Sequence, residues 1–336
     1  MMHENITVNF SSIPWNETES RKLGIPEFTK WVSSCILIGI LTFNMLVIIL
    51  MLQRRKQTRM GFFVTNLALA DLCVGIFYVF PLLLFDWFGV FWNYFFCYIY
   101  YAYFSQVAYY VSTYAIVVIA IDRVYVIIKP LAAAAKGKKY RYGLAFSSWL
   151  LGLLLGIYYG YNSIYIDDES FCGHHFTAPL VAMYYDVSFI LVVPLMIIVA
   201  CYIAIIVKIH QRDRGGFVVV APNKDKTYAR QSNSKIITSS KVRTIQLLLV
   251  VVIAYVVCWT PFTTVACMYH YGYLKVDESQ QDTDIFYALY VFAPFNSLAN
   301  PLVFLLFNWK MFRGNTKPQN PYLRTVSRTE TIDLSA

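Results

Sequence analysis

The sequence predicts an all-α fold, a bundle of seven helices that cross a lipid bilayer, and three observations carry that reading. Apolar residues fill 58% of the 336 positions and charged residues only 14%, whereas a soluble domain carries about a quarter charged. Seven apolar runs lie at 31–52, 61–84, 97–128, 142–163, 180–207, 244–269 and 284–307, each long enough to supply the ~20 residues that a spanning helix needs. Lys and Arg cluster between these runs rather than on one water-exposed face. The net charge of +9 therefore reads as membrane topology, and no nucleic-acid partner is expected.

Residues 1–30 are polar and lack the apolar stretch of a cleaved signal peptide, so the first span is expected to act as its own insertion signal. Acceptor sequons at Asn5, Asn9 and Asn16 suit an extracellular, glycosylated amino terminus. Arg54, Arg55, Lys56 and Arg59 follow span 1, and Lys129, Lys136, Lys138, Lys139 and Arg141 follow span 3. Nine further basic residues lie in 208–243 and five in the tail, against Arg21, Lys22, Lys30 and Lys275 on the other side. Positive charge marks the cytoplasmic side, which places the amino terminus outside and the tail inside. After span 7, Phe307, Met311 and Phe312 alternate with Asn308, Lys310 and Arg313, a spacing that suits an amphipathic helix on the inner leaflet. The expected organisation is thus 1–30 outside, 31–307 in the seven spans, and 308–336 as amphipathic helix and tail.

Ionisable groups within spans are costly unless paired or hydrated, and so mark functional sites. Asp71 lies in the second run and Asp122-Arg123 at the inner end of the third. Asn44, Ser112, Asn296, Ser297 and Asn300 fall at a depth similar to that of Asp71, and together they form a polar cluster able to hold water or a small cation such as sodium. A purely structural ion pair is the plain alternative for Asp122-Arg123. Pro81, Pro194, Pro261, Pro294 and Pro301 interrupt the spans, each removing a backbone donor and permitting a kink. Of seven cysteines, five fall inside apolar runs; Cys97 and Cys172 fall outside the bilayer and are the candidate disulfide.

Taken together these motifs resemble the rhodopsin-like G-protein-coupled receptors. Asp71 in Leu-Ala-Leu-Ala-Asp, Asp122-Arg123-Val124, Trp149, Pro194 with Tyr202, Cys258-Trp259-Thr260-Pro261 and Asn300-Pro301-Leu302-Val303-Phe304 occur in that family's order. Lys241-Val242-Arg243-Thr244, the run Ala254–Phe262, Asn296-Ser297, Pro81 and Asp86 are similar to the vasopressin/oxytocin branch and its neuropeptide-receptor relatives. The resemblance implies a sodium and water site at Asp71, Ser112, Asn296 and Asn300, and no other cofactor. It implies a cytoplasmic switch at Arg123 with Asp122, a toggle at Trp259, an active-state contact at Tyr202, and a Cys97–Cys172 bond that pins the second outer loop. It also implies a heterotrimeric G protein, and arrestin through a phosphorylated tail, as partners of a plasma-membrane receptor. Phe304 stands where the family usually has tyrosine, and Cys97 lies one residue further from Arg123 than usual. Tyr78 and Leu82 replace glutamines of the vasopressin type.

Other classes fit less well. A retinal protein needs a lysine in span 7, and 284–307 has none; an amine receptor needs an acid between Tyr103 and Tyr110, and none is there. A channel or transporter accounts for a polar bundle but not for the joint motif set. No catalytic triad, phosphate loop or metal spacing points to an enzyme, and His174-His175 reads as a solvated pair. The outer segments are rich in acid, and aromatic residues crowd span 3, which together favour a cationic or amidated peptide ligand. Asp86, Gln106, Asp186, Trp259 and Phe262 are the candidate ligand contacts, and a lipid or other small molecule is the alternative ligand.

Overall fold

The bilayer offers the backbone no hydrogen-bond partner, so a spanning segment must satisfy its own amides and does so as a helix. The computed structural model describes residues 27–53, 58–88, 93–166, 171–174, 176–214, 246, 249–268, 271, 273 and 292–312. Six of its helices are long and apolar enough to cross a membrane: α1 (Glu27–Leu52), α2 (Arg59–Phe88), α3 (Phe96–Ile128), α4 (Lys138–Tyr161), α5 (Leu180–Gln211) and α6 (Leu249–Met268). A seventh, α7 (Phe292–Phe312), completes the expected bundle. It runs unbroken through Phe312, so the amphipathic helix expected after 307 begins within it; the rest of the tail, like the sequons at Asn5, Asn9 and Asn16, lies outside the described residues. A short inner helix, Pro130–Ala135, joins α3 to α4, and β1 (Ser163–Ile166) pairs antiparallel with β2 (Phe171–His174) between α4 and α5.

Large apolar side chains cover the outside of the bundle: Ile38, Leu52, Leu154, Met196, Ile203 and Leu306 are all exposed. Such a surface is stable only against lipid. α3 is the central helix, buried from Val107 to Ala120 without a break. It meets α4 along a glycine ladder: a Cβ on Gly152 would lie 2.5 Å from Val111 Cγ2, and one on Gly156 2.6 Å from Val107 Cγ2. Small residues let helices approach closely where lipid supplies no hydrophobic drive to associate.

The prolines leave a pattern the sequence did not disclose. α2 widens to a π-turn at Gly75–Val79, and the Phe80 amide bonds back to the Gly75 carbonyl. The next donor in that register would be residue 81, which is proline and has none. The Ile76 carbonyl instead accepts from the Tyr100 hydroxyl of α3 at 2.9 Å. α5 repeats the device. Its π-turn, Val187–Val192, ends with the Val193 amide on Ser188 O, Pro194 cannot follow, and Tyr114 of α3 donates to Phe189 O at 3.2 Å. In α7, Pro301 leaves the Ser297 carbonyl unserved, and Asn44 Nδ2 of α1 fills it at 3.0 Å. Pro81, Pro194 and Pro301 thus each stitch their helix to a neighbour.

This stitching makes Tyr114→Phe and Pro194→Ala non-additive. Tyr114→Phe should lower the melting stability of the purified protein by about 1–3 kcal/mol, the cost of an unmet buried acceptor. In a Pro194→Ala background, where residue 194 regains its amide, the same change should cost less than half as much. Additive losses would overturn the assignment.

Candidate functional site

Three polar layers are strung along the inside of the bundle. The outermost is aromatic. Cys97, at the start of α3, is bonded to Cys172 of β2, with Cα atoms 5.5 Å apart, so the hairpin is tied down over the outer end of α3. The α3 start is capped by Asn93, whose side chain accepts from the Phe96 amide at 2.8 Å. From Phe96 to Tyr103 the helix is a π-helix. A π-turn holds an extra residue without changing the helix beyond it, which accounts physically for the one-residue excess between Cys97 and Arg123.

Below the hairpin the rings form a continuous chain. Tyr78 of α2 packs edge-on to Tyr109 at 4.8 Å between ring centres, Tyr109 meets Trp259 at 5.3 Å, and Trp259 meets Phe262 at 6.0 Å. Trp259 is 1% exposed. The candidates Trp259 and Phe262 are therefore joined, through two tyrosines the sequence reading did not select, to α2 and α3. The signal for Tyr109 was present: it precedes Ser112 by three residues and so shares its helix face. Gln106 is half-buried on α3 and Asp86 half-buried near the outer end of α2, within the field of Lys30. Asp186 is half-buried near the outer end of α5. Tyr110 donates to its Oδ1 at 3.3 Å, which ties α3 to α5, and the Tyr159 side chain of α4 lies beside the same carboxylate.

The middle layer centres on Asp71, fully buried. Ser112 Oγ donates to Oδ1 at 2.5 Å and Asn300 Nδ2 to Oδ2 at 3.0 Å, with Ser297 buried beside the carboxylate. Asn44 joins through the Ser297 carbonyl. Asn296 is buried beside them, and the side-chain oxygens of Asn44, Asn296 and Asn300 have no protein partner. The expected cluster is thus assembled, and it presents carboxylate, hydroxyl and amide oxygens, the donors that a hard cation takes. Among the described residues no group of three or more His, Cys, Asp and Glu gathers into a metal site.

The innermost layer holds Asp122, again fully buried. Arg123 Nη2 donates to its Oδ2 at 2.7 Å, as expected. A second cation, which sequence reading had left in the loop, sits on the other oxygen: Arg59 Nε donates to Oδ1 at 2.8 Å. Tyr202 packs half-buried against the core, and Phe304 is buried within it just beyond Pro301. Phenylalanine rather than tyrosine suits that apolar position. Lys241 and Arg243 lie outside the described residues.

A buried carboxylate on α2 tied to α3 and α7, an Asp-Arg pair closing the inner end of α3, and a buried tryptophan packed in a chain of aromatic rings are features of one family. The sequence pattern of that family, the 7 transmembrane receptor (rhodopsin family), matches residues 43–304. The chain belongs to the rhodopsin family of seven-transmembrane receptors. It is a multi-pass membrane protein, and its family is one of receptors rather than enzymes. It is 29% identical to the isotocin receptor of Catostomus commersonii over 297 residues, covering 83% of this chain and 70% of that one. It is 28% identical to the oxytocin receptor of Ovis aries over 335 residues, covering 91% and 84%. The neuropeptide S receptor of Rattus norvegicus is 25% identical over 281 residues, covering 79% and 72%.

The disulfide has a direct test. Cys97→Ala and Cys172→Ala should each lower the stability of the receptor by about 2–4 kcal/mol, read from melting of purified protein, and the double variant should lose no more than either single one. Independent, additive losses would show that the two sulfurs do not act through one bond.

Proposed function

We propose that this receptor binds a short cationic or amidated peptide from outside the cell and passes the signal to a heterotrimeric G protein on the inside. The chain of rings Tyr78–Tyr109–Trp259–Phe262 beneath the tethered hairpin carries this reading, because it leads from the outer chamber towards the buried middle layer. Buried aromatic contacts supply most of the affinity of a peptide interface, and rim charges mainly its rate of approach. Asp86 meets the ligand's charge on entry, Gln106 bonds its backbone, and Phe262 and Trp259 receive an apolar side chain. Asp186, already bound by the Tyr110 hydroxyl with Tyr159 beside it, shapes the floor between α3, α4 and α5 and meets charge only if those tyrosines yield. The names of the relatives, receptors for isotocin, oxytocin and neuropeptide S, support a peptide ligand over a lipid or other small molecule.

The same reading places the amino terminus outside, glycosylated, and the Asp122–Arg123 end in the cytoplasm, where Arg123 leaves Asp122 to receive the G protein, with Tyr202 steadying the active state. Arrestin engages the phosphorylated tail. Asp71, Ser112, Ser297, Asn296 and Asn300 hold a sodium ion that favours the resting state, since a ligand shifts an equilibrium by its differential affinity.

The ligand assignment is tested by a calcium and cAMP screen of short peptides on cells expressing the chain, followed by kinetics of the activating peptide at two ionic strengths. Asp86→Asn should slow association and flatten its salt dependence, and Phe262→Ala should speed dissociation about tenfold or more. Activation by neutral lipids alone, with Asp86→Asn silent, would overturn the peptide reading. The cation site needs no agonist. Sodium chloride should stabilise the receptor against melting relative to choline chloride, by about 1.4 kcal/mol at ten times the dissociation constant, and Asp71→Asn should abolish the difference. Equal melting in the two salts would remove sodium from the scheme.

A further inference from the structure

The Asp122 carboxylate is held by two cations, and they do not compete for the same atom. Arg123 Nη2 occupies Oδ2, while Arg59 Nε and Nη2 both face Oδ1, at 2.8 and 2.5 Å. Arg59 has further attachments. Its Nη1 donates to the carbonyl of Ala133 in the short inner helix at 2.7 Å, and its guanidinium lies over the Tyr140 ring of α4, 5.3 Å from the centre. One side chain therefore clamps α2, α3, the inner helix and the start of α4. Lys136, just past that helix, lies over Tyr125 and Tyr140 at 4.5 and 4.2 Å, closing the far side of the clamp.

Charge counting gives this arrangement a direction. With both arginines present the buried cluster carries one surplus positive charge, and departure of Arg123 leaves a neutral Arg59–Asp122 pair. Without Arg59 the resting cluster is neutral, and departure of Arg123 leaves a carboxylate buried alone, a strongly unfavourable state. We propose that Arg59 is a positioning residue for G-protein activation: it keeps Asp122 paired when Arg123 leaves and holds the inner helix at Ala133 in place for the partner. The two cations thus have opposite effects on one anion. Arg123 leaves it to signal, and Arg59 stays so that the departure is cheap. This rests on the assignment of Arg123 as the switch.

The experiment uses the full chain in lipid nanodiscs with a purified heterotrimeric G protein, and reads agonist-free uptake of a non-hydrolysable GTP analogue. Arg59→Gln should reduce uptake about fivefold or more relative to the parent. Asp122→Asn should raise it, because a neutral amide holds Arg123 less firmly. The decisive protein is Arg59→Gln/Asp122→Asn: with no carboxylate left to strand, uptake should return to within about twofold of Asp122→Asn alone. Hydrogen exchange of the amides in 130–135 reads the anchoring separately and needs no G protein. It should quicken about tenfold in Arg59→Gln, and also in Arg59→Lys, which keeps the charge but cannot reach both Asp122 and Ala133. Arg59→Lys should retain most of the uptake. Uptake in Arg59→Gln rising towards the Asp122→Asn level, or a double variant that stays low, would overturn the proposal. An Arg123→Ala protein that takes up nucleotide like the parent would instead remove the switch on which it rests.

Discussion

Inside a bilayer every polar group must find its partner within the protein, and the whole interior of this receptor follows from that constraint. A carboxylate at position 71 can be buried only because α3 brings a hydroxyl and α7 an amide to it, which fixes the relative depth of three helices at one point. α1 enters through a backbone carbonyl rather than through the carboxylate, and that carbonyl is available only because residue 301 is proline. The hub and the prolines are therefore one system: the groups that break regular hydrogen bonding are the ones that hold the helices in register.

α3 bears most of this load. It supplies Tyr100 to α2, Tyr114 to α5, Ser112 to the hub, Tyr110 to Asp186, and Asp122 to both arginines. It must also lie tightly against α4, and the glycines at 152 and 156 give its Val107 and Val111 the room. A helix bonded to its neighbours at so many depths is suited to serve as the fixed axis about which the outer helices move.

Much of this was legible in the sequence. Hydropathy located all seven spans to within a few residues at most of their described ends, since apolar length is a property of the chain alone. The hub was legible for the same reason: Asp71, Asn44, Ser112 and Asn300 are polar where lipid forbids it, and they had nowhere to go but towards each other. Contacts whose partner is an ordinary residue were not legible. Arg59 looks like any loop cation, because its ion pair spans 63 positions and depends on how α2 enters the bundle. Asp186 reads as a rim acid until the tyrosines of two other helices are seen to enclose it. The π-turns left only an indirect trace, the excess residue before Arg123, since a widened turn changes no composition and breaks no run.

The π-turn at Gly75–Val79 also bears on how such a chain can gain or lose a residue over evolutionary time. Each residue of a helix advances the side chains by about 100°. Losing one residue elsewhere in α2 would rotate the segment beyond it by that amount, but losing one from this widened turn would return it to ordinary α-helix and leave Asp86 and Asp71 on their present bearings. A single codon could thus be lost here with both ends of the helix still aligned, so that related chains sharing every inner motif can differ by one residue in the spacing between Asp71 and Pro81.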